Sequence, residues 1–350
     1  MKRHFLLLAV LLFSLLPALP AHSAEPAAAS PWPLTLKWQR CPNWYCETGW
    51  YASPAVGDLD ADGAAEVYWG GYTLMAVNGT SGTIKWIRPQ GSSARLWPGI
   101  VLADINNDTR LEVVTASGDG ELAVYGPGLN PISPWPKNPT GDGREIRSLA
   151  TADMDNDHDL EIAICSTRSD NQWFVYEHDG TVRSGWPQLS PDGDTNGYAS
   201  GCFNENVAVA DVDGDGSAEV IGPNDTHYVA AFHADGSPLR ANPVYGLING
   251  VRKAWARVGL HVDHAVDLRG YADCGVEHRP NMANSAPTIA DVNGDGKLEI
   301  IIVGNIYNCG ANPYQDLYEM PYILNADRTR WKDATHDWTV IPTPMRMRRH

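Results

Sequence analysis

The feature that most constrains this chain is a nine-residue acidic segment that occurs five times. The copies begin at Asp58, Asp104, Asp153, Asp211 and Asp291. Position 3 holds Asp60, Asn106, Asp155, Asp213 and Asn293, and position 5 holds Asp62, Asp108, Asp157, Asp215 and Asp295. Position 9 is always glutamate: Glu66, Glu112, Glu161, Glu219 and Glu299. Alternate residues of a curled loop all point inward, and the carbonyl of position 7 adds a further oxygen. Such a loop suits Ca²⁺, which takes about six to eight oxygen ligands in flexible geometry. One copy is explained by the turn-forming habit of Asp and Gly, but five copies with a matching glutamate are not. These side chains are therefore expected to hold up to five Ca²⁺ ions. Position 6 is glycine in three copies, whereas Thr109 and His158 stand there in loops 2 and 3. A β-branched residue at positive φ is strained, so loop 2 is expected to bind least well or to turn differently.

Short β-branched runs flank every loop, such as Val101-Leu-Ala103 before loop 2 and Val113-Val-Thr115 after it. Each loop thus reads as the hairpin between two strands. Third strands follow, as in Leu74–Asn78, Leu122–Tyr125, Phe174–Tyr176, Val229–Phe232 and Tyr322–Leu324, and fourth strands are expected at Thr83–Trp86 and Thr181–Trp186. The loops start 46, 49, 58 and 80 residues apart. The first two intervals match a four-stranded propeller blade of about 40–50 residues. The expected fold is an all-β β-propeller with five motif-bearing blades. Six or seven blades in total, or a C-terminally truncated chain, remain open. Pro33–Trp38 reads as a fourth strand able to complete the last blade.

This pattern resembles the FG-GAP/VCBS repeat family, calcium-binding β-propellers that include the integrin α-subunit head. The resemblance runs over about residues 50–332. It implies Ca²⁺ between the first two strands of each blade and a function in adhesion or ligand binding.

Residues 1–24 read as a secretory signal peptide, with Lys2 and Arg3 before an apolar run from Phe5 to Leu19 and a small-residue exit. The propeller is then assigned to 25–350, secreted to an extracellular or periplasmic site, with no transmembrane segment in the mature chain. Six cysteines in an exported chain point to disulfides, the simplest pairs being Cys41–Cys46, Cys165–Cys202 and Cys274–Cys309. Cys165 reads equally well as a buried free thiol.

The chain carries 26 Lys+Arg against 42 Asp+Glu, a formal charge of −16. That balance argues against nucleic acid or an anionic membrane as a partner. Eighteen of those carboxylates stand at the loop positions named above, so the acidity is largely assigned to ion binding. The long intervals mark insertions at about 187–205 and 241–285. The second holds His261, Asp263, His264, Asp267, Cys274 and His278, which read as a disulfide-tied surface loop in preference to a transition-metal site. Trp86, Trp135 and Trp186 recur at fourth-strand positions and read as packing. Trp44, Trp50, Trp97 and Trp255 fall outside that register and are the candidates to stack on a ligand.

No nucleophile elbow, P-loop or dinucleotide fingerprint is present. The expected function is a calcium-stabilised module that binds an extracellular protein or glycan ligand, with no catalytic residue assigned. The alternatives are a calcium-dependent polysaccharide lyase resembling the rhamnogalacturonan lyases and a quinone-dependent dehydrogenase. The latter rests on one blade-like motif, Ala76–Trp86.

Overall fold

The computed structural model describes residues 35–42, 46, 52–90, 94–167, 172–189, 202, 206–223, 229–261, 285–306 and 317–339. The expected signal peptide, Trp44, Trp50, the Cys274–Cys309 pair and most of both insertions lie outside these residues. Every strand among the described residues lies in the unit Trp38–His350. Each acidic segment opens an antiparallel sheet. Repeat 1 runs Ala55–Gly57, Glu66–Gly70, Thr73–Asn78 and Ile84–Pro89, each strand paired with the next. Repeat 2 runs Val101–Ala103, Glu112–Ala116, Leu122–Gly126 and Asn130–Pro131 in the same order.

Three further sheets have three strands each, and a two-stranded ribbon pairs Leu247–Ile248 with Val251–Arg252. The three-stranded sheets are Ile146–Ala152, Glu161–Ser166 and Trp173–Tyr176 in repeat 3, and Ala208–Ala210, Glu219–Pro223 and Val229–Phe232 in repeat 4. Repeat 5 has Thr288–Ala290, Glu299–Ile306 and Leu317–Leu324. The expected fourth strand at Thr181–Trp186 is reduced to isolated bridges, Tyr176 with Val182 and Trp173 with Gln188. Gly185 at φ +89° and Pro187, which has no N–H, interrupt the ladder there. Residues 35–40 form no strand either. Trp38 instead donates its indole N–H to the Gly79 carbonyl at 3.2 Å and lies against Gly82, where a Cβ would fall 2.6 Å from the ring.

The apolar runs of the second and third strands follow from burial on both faces, because successive residues point to opposite sides of a strand. Val113 packs with Tyr68, Leu74 and Ala76 of repeat 1, while its neighbour Val114 packs with Ile162, Ile164 and Phe174 of repeat 3. Ala163 and Cys165 turn the other way, toward Val220, Ala230 and Phe232 of repeat 4. Ile221 then meets Ile300, Ile302 and Tyr322 of repeat 5. Four apolar layers thus join the five repeats in chain order. The layers also hold Trp135 and Trp186 at 5% and 7% exposure, and Trp86 packs against the first layer, as their shared register implied.

Two disulfides occur among the described residues, Cys41–Cys46 and Cys165–Cys202. Both are expected pairs, and Cys165 is not a free thiol.

Candidate metal-binding loops

The strand register places each glutamate. Position 9 is the first residue of the second strand in every repeat, and it pairs with the last residue of the first strand. Those partners are Gly57, Ala103, Ala152, Ala210 and Ala290. A small residue opposite leaves room for the glutamate to turn back under the loop. All five glutamates are at most 3% exposed. One carboxylate oxygen of each accepts the N–H of position 2: Leu59 at 3.3 Å, Ile105 at 3.0 Å, Met154 at 2.6 Å, Val212 at 2.9 Å and Val292 at 3.0 Å. The other oxygen is left for the loop.

The position 1 aspartate accepts the position 6 N–H in all five loops, and the position 5 N–H as well in every loop but the third, where Asn156 at position 4 donates instead. Asp58 accepts from the N–H groups of Asp62 at 3.0 Å and Gly63 at 2.7 Å, and Asp291 does the same with Asp295 at 3.1 Å and Gly296 at 2.8 Å. The position 5 aspartate caps position 7, with distances from 2.8 to 3.2 Å across the set. Two residues of each loop sit at positive φ. At position 6 these are Gly63, Thr109, His158, Gly216 and Gly296, and at position 4 they are Ala61, Asn107, Asn156, Gly214 and Gly294. Loop 2 therefore makes the same turn as the others despite Thr109, whose N–H reaches Asp104 at 2.7 Å. Position 4 was not read from the sequence, although Asn and Gly there, the residues that best tolerate positive φ, are its signal.

Carboxylates converge to within 4.8 Å of one another in three loops. The groups are Asp58, Asp60, Asp62 and Glu66 in loop 1, and Asp153, Asp155 and Glu161 in loop 3, where Asp157, Asp159 and Glu161 form a second set. In loop 4 the group is Asp213, Asp215 and Glu219 with His233. Asp211 stands outside that group. Loops 2 and 5, with Asn106 and Asn293 at position 3, form no such group among the described residues. There Asp104, Asp108, Glu112, Asp291, Asp295 and Glu299 keep the shared backbone geometry, and each asparagine donates to the position 5 aspartate, at 3.3 and 3.1 Å.

His178 meets Asp159 at 2.7 Å and His158 meets Asp153 at 3.8 Å, and three further basic residues, with no local spacing to betray them, each reach a position 3 aspartate. The Lys85 ammonium lies 2.9 Å from Asp60, 2.6 Å from Asp62 and 2.7 Å from Glu66. Arg183 lies 3.1 Å from Asp155, 3.1 Å from Glu177 and 3.9 Å from Glu161. His233 lies 3.2 Å from Glu219 and 3.8 Å from Asp213. Each touches the position 3 aspartate and the position 9 glutamate of its loop. Burial pushes the carboxyls of Glu112 and Glu219 above the usual range, and that of Glu161 up to about 8. Glu161 Oε1 is buried with no hydrogen-bond partner and faces the carboxylates of Asp153 and Asp155. An orphaned buried oxygen amid hard oxygen donors fits a cation of the calcium, magnesium or manganese type.

Other candidates fare differently. Trp255 is 1% exposed and donates to the Ala326 carbonyl at 3.1 Å, so it is a packing residue and not a ligand platform. Trp97 is half-buried at the end of the sheets opposite the acidic loops, with Arg147 4.1 Å and Arg95 5.3 Å from its ring. Arg95 also lies 4.8 Å over Tyr72. His261 is fully buried and its carbonyl accepts from Arg330, while the other members of the histidine-rich set lie outside the described residues.

Fold and loops define an all-β repeat protein whose first hairpins are acidic, oxygen-rich turns. A family model described as FG-GAP-like repeat matches residues 104–164 and 153–222, which span loops 2, 3 and 4, and the chain carries FG-GAP-like repeats. No curated protein matches the sequence. Among solved structures it is similar to Saccharomyces cerevisiae Sqt1, at 14% identity over 73% of this chain and 56% of that one, with a TM-score of 0.43. The WD40 domain of Neurospora crassa Pan2 gives 8% identity over 81% and 65%, with a TM-score of 0.42. A europium-containing methanol dehydrogenase gives 10% over 79% and 60%, with a TM-score of 0.48. The chain thus spans less than two thirds of the length of each of these structures.

Proposed function

We propose that this chain is an exported, calcium-binding β-propeller module that recognises an extracellular protein or glycan. The observation that carries the reading is the five-fold loop: one turn with positive φ at positions 4 and 6 and a buried glutamate at position 9, repeated at the same end of successive sheets. Bound Ca²⁺ would supply charge neutralisation there. The chain's own residues hold the turn through Asp position 1 and anchor it to the sheet through the glutamate at position 9. Ligand recognition is assigned to the opposite end. Each first strand runs toward its acidic loop, so each begins at the other end of its sheet. Tyr72, Arg95, Trp97 and Arg147 gather there, and aromatic–guanidinium clusters of this kind suit the polar and apolar faces of a sugar or a peptide.

The test is a glycan and protein binding screen, read with calcium and with EDTA. Calcium-supported binding that Trp97→Ala weakens is the expected result. Release of unsaturated, ultraviolet-absorbing products from pectic substrates would replace the binding module with a lyase.

A further inference from the structure

We propose that in loop 1 the Lys85 ammonium takes the place of the divalent cation, so that this loop is closed from within and binds no ion. The inference rests on the calcium reading for the other loops but concerns this loop's own residues. An ammonium has three N–H donors, and that of Lys85 meets carboxylates from positions 3, 5 and 9 at 2.6–2.9 Å. Those are three of the four side chains a Ca²⁺ ion would need. The fourth, Asp58, shapes the turn as its counterparts do in the other loops, accepting from the N–H groups of Asp62 and Gly63. A Ca²⁺ ion sits about 2.3–2.6 Å from its oxygens, so ion and ammonium would claim the same space and repel each other. The ammonium is set by the fold: Lys85 lies in the strand Ile84–Pro89, its side chain is only 19% exposed, and its charge lies 5.4 Å over the Trp86 ring.

The other loops lack this closure. Arg183 approaches loop 3 but stays 3.9 Å from Glu161, whose Oε1 accepts no hydrogen bond. In loop 4 the partner is His233, whose neutral imidazole is itself a metal ligand. No lysine or arginine pairs with loops 2 or 5 among the described residues. Asn106 and Asn293 there replace the aspartate that Lys85 neutralises in loop 1. An aspartate at position 3 is thus matched by a basic partner in loops 1, 3 and 4, and only in loop 1 does that partner engage three carboxylates of the loop itself.

Calcium bound per chain, measured by equilibrium dialysis on the full chain at saturating Ca²⁺, separates the possibilities. Lys85→Met keeps the apolar stem and removes the charge, and it is expected to bind one ion more than the unaltered chain. Asp60→Asn in the unaltered background is expected to leave the ion count unchanged, whereas Asp291→Asn is expected to lower it by one. A K85M count equal to that of the unaltered chain, or the loss of an ion in D60N, would overturn the proposal. If K85M does not fold, the D60N count decides alone. An unaltered chain that binds no Ca²⁺ would refute the calcium reading, and a gain of one ion in K85M would still uphold the role of Lys85.

Discussion

Replacing Glu161 with glutamine should raise stability without calcium and lower it with calcium. In the metal-free chain, burial lifts the Glu161 carboxyl from its ordinary 4.5 to about 8. At pH 7 the folded state therefore keeps a proton that the unfolded state releases. At about 1.36 kcal/mol per pH unit over roughly 2.5 units, this costs the fold about 3 kcal/mol. The Glu161→Gln chain escapes that cost, and the amide oxygen it introduces still accepts the Met154 N–H that Glu161 holds at 2.6 Å. For a folded unit of about 300 residues, an unfolding entropy near 2.1 cal/mol/K per residue converts about 3 kcal/mol into a rise of about 5 °C in Tm. With calcium at about 100 times its Kd, each occupied loop adds about 2.7 kcal/mol, and the variant forfeits that gain at loop 3. Thermal unfolding of both chains in EDTA and in calcium is the assay. A variant that is destabilised to the same degree in both conditions would refute the reasoning, because Glu161 would then act only as a backbone latch.

Four other perturbations bear on the same account. In EDTA, stability should fall as pH rises from about 4.5 through 8, because the folded state holds the Glu161 proton across that window and the unfolded state does not; a denaturant series at several pH values that is flat or rising there would contradict it. Removing the Cys165–Cys202 bridge, which closes a sequence separation of 37, should cost about 4 kcal/mol by loop-closure entropy, read as a lower urea midpoint in the Cys165→Ala/Cys202→Ala chain. Thr109→Gly should stabilise the chain by about 1 kcal/mol, since Thr109 holds φ +73° in a turn where three sister loops use glycine; an unchanged Tm would show that the Thr109 turn is unstrained. Arg147→Ala should weaken ligand capture in the binding screen while leaving the calcium-dependent Tm shift intact, because Arg147 lies at the end of the sheets away from the loops.

The parts of this molecule that were legible in the sequence are those encoded within a few residues. The spacing from Asp58 to Glu66 lies inside one hairpin, so its chemistry and its flanking strands could be read together. The apolar runs such as Ile162–Cys165 marked strands, and the alternation of Ile164 toward repeat 2 and Cys165 toward repeat 4 explains why they are apolar throughout. The partners of the loops were not legible. Lys85 is 19 residues from Glu66 and Arg183 is 22 residues from Glu161, on strands or turns whose register only the folded sheet sets. Trp255 was misread for a similar reason: its sequence neighbourhood looks like an insertion, yet its N–H bonds the Leu239 carbonyl at 3.0 Å and its ring enters the layer between repeats 4 and 5. Pro33–Trp38 read as a strand, but strand identity needs a partner edge, and Trp38 meets the turn at Gly79 and Gly82 instead.

The central claim is that the acidic hairpins hold calcium and that the fold depends on it. Its most direct test is the Tm of the purified chain in saturating calcium against the same chain in EDTA. The account predicts a higher Tm in calcium, rising further with calcium concentration as ligand linkage requires. A Tm that is the same in both conditions would contradict it.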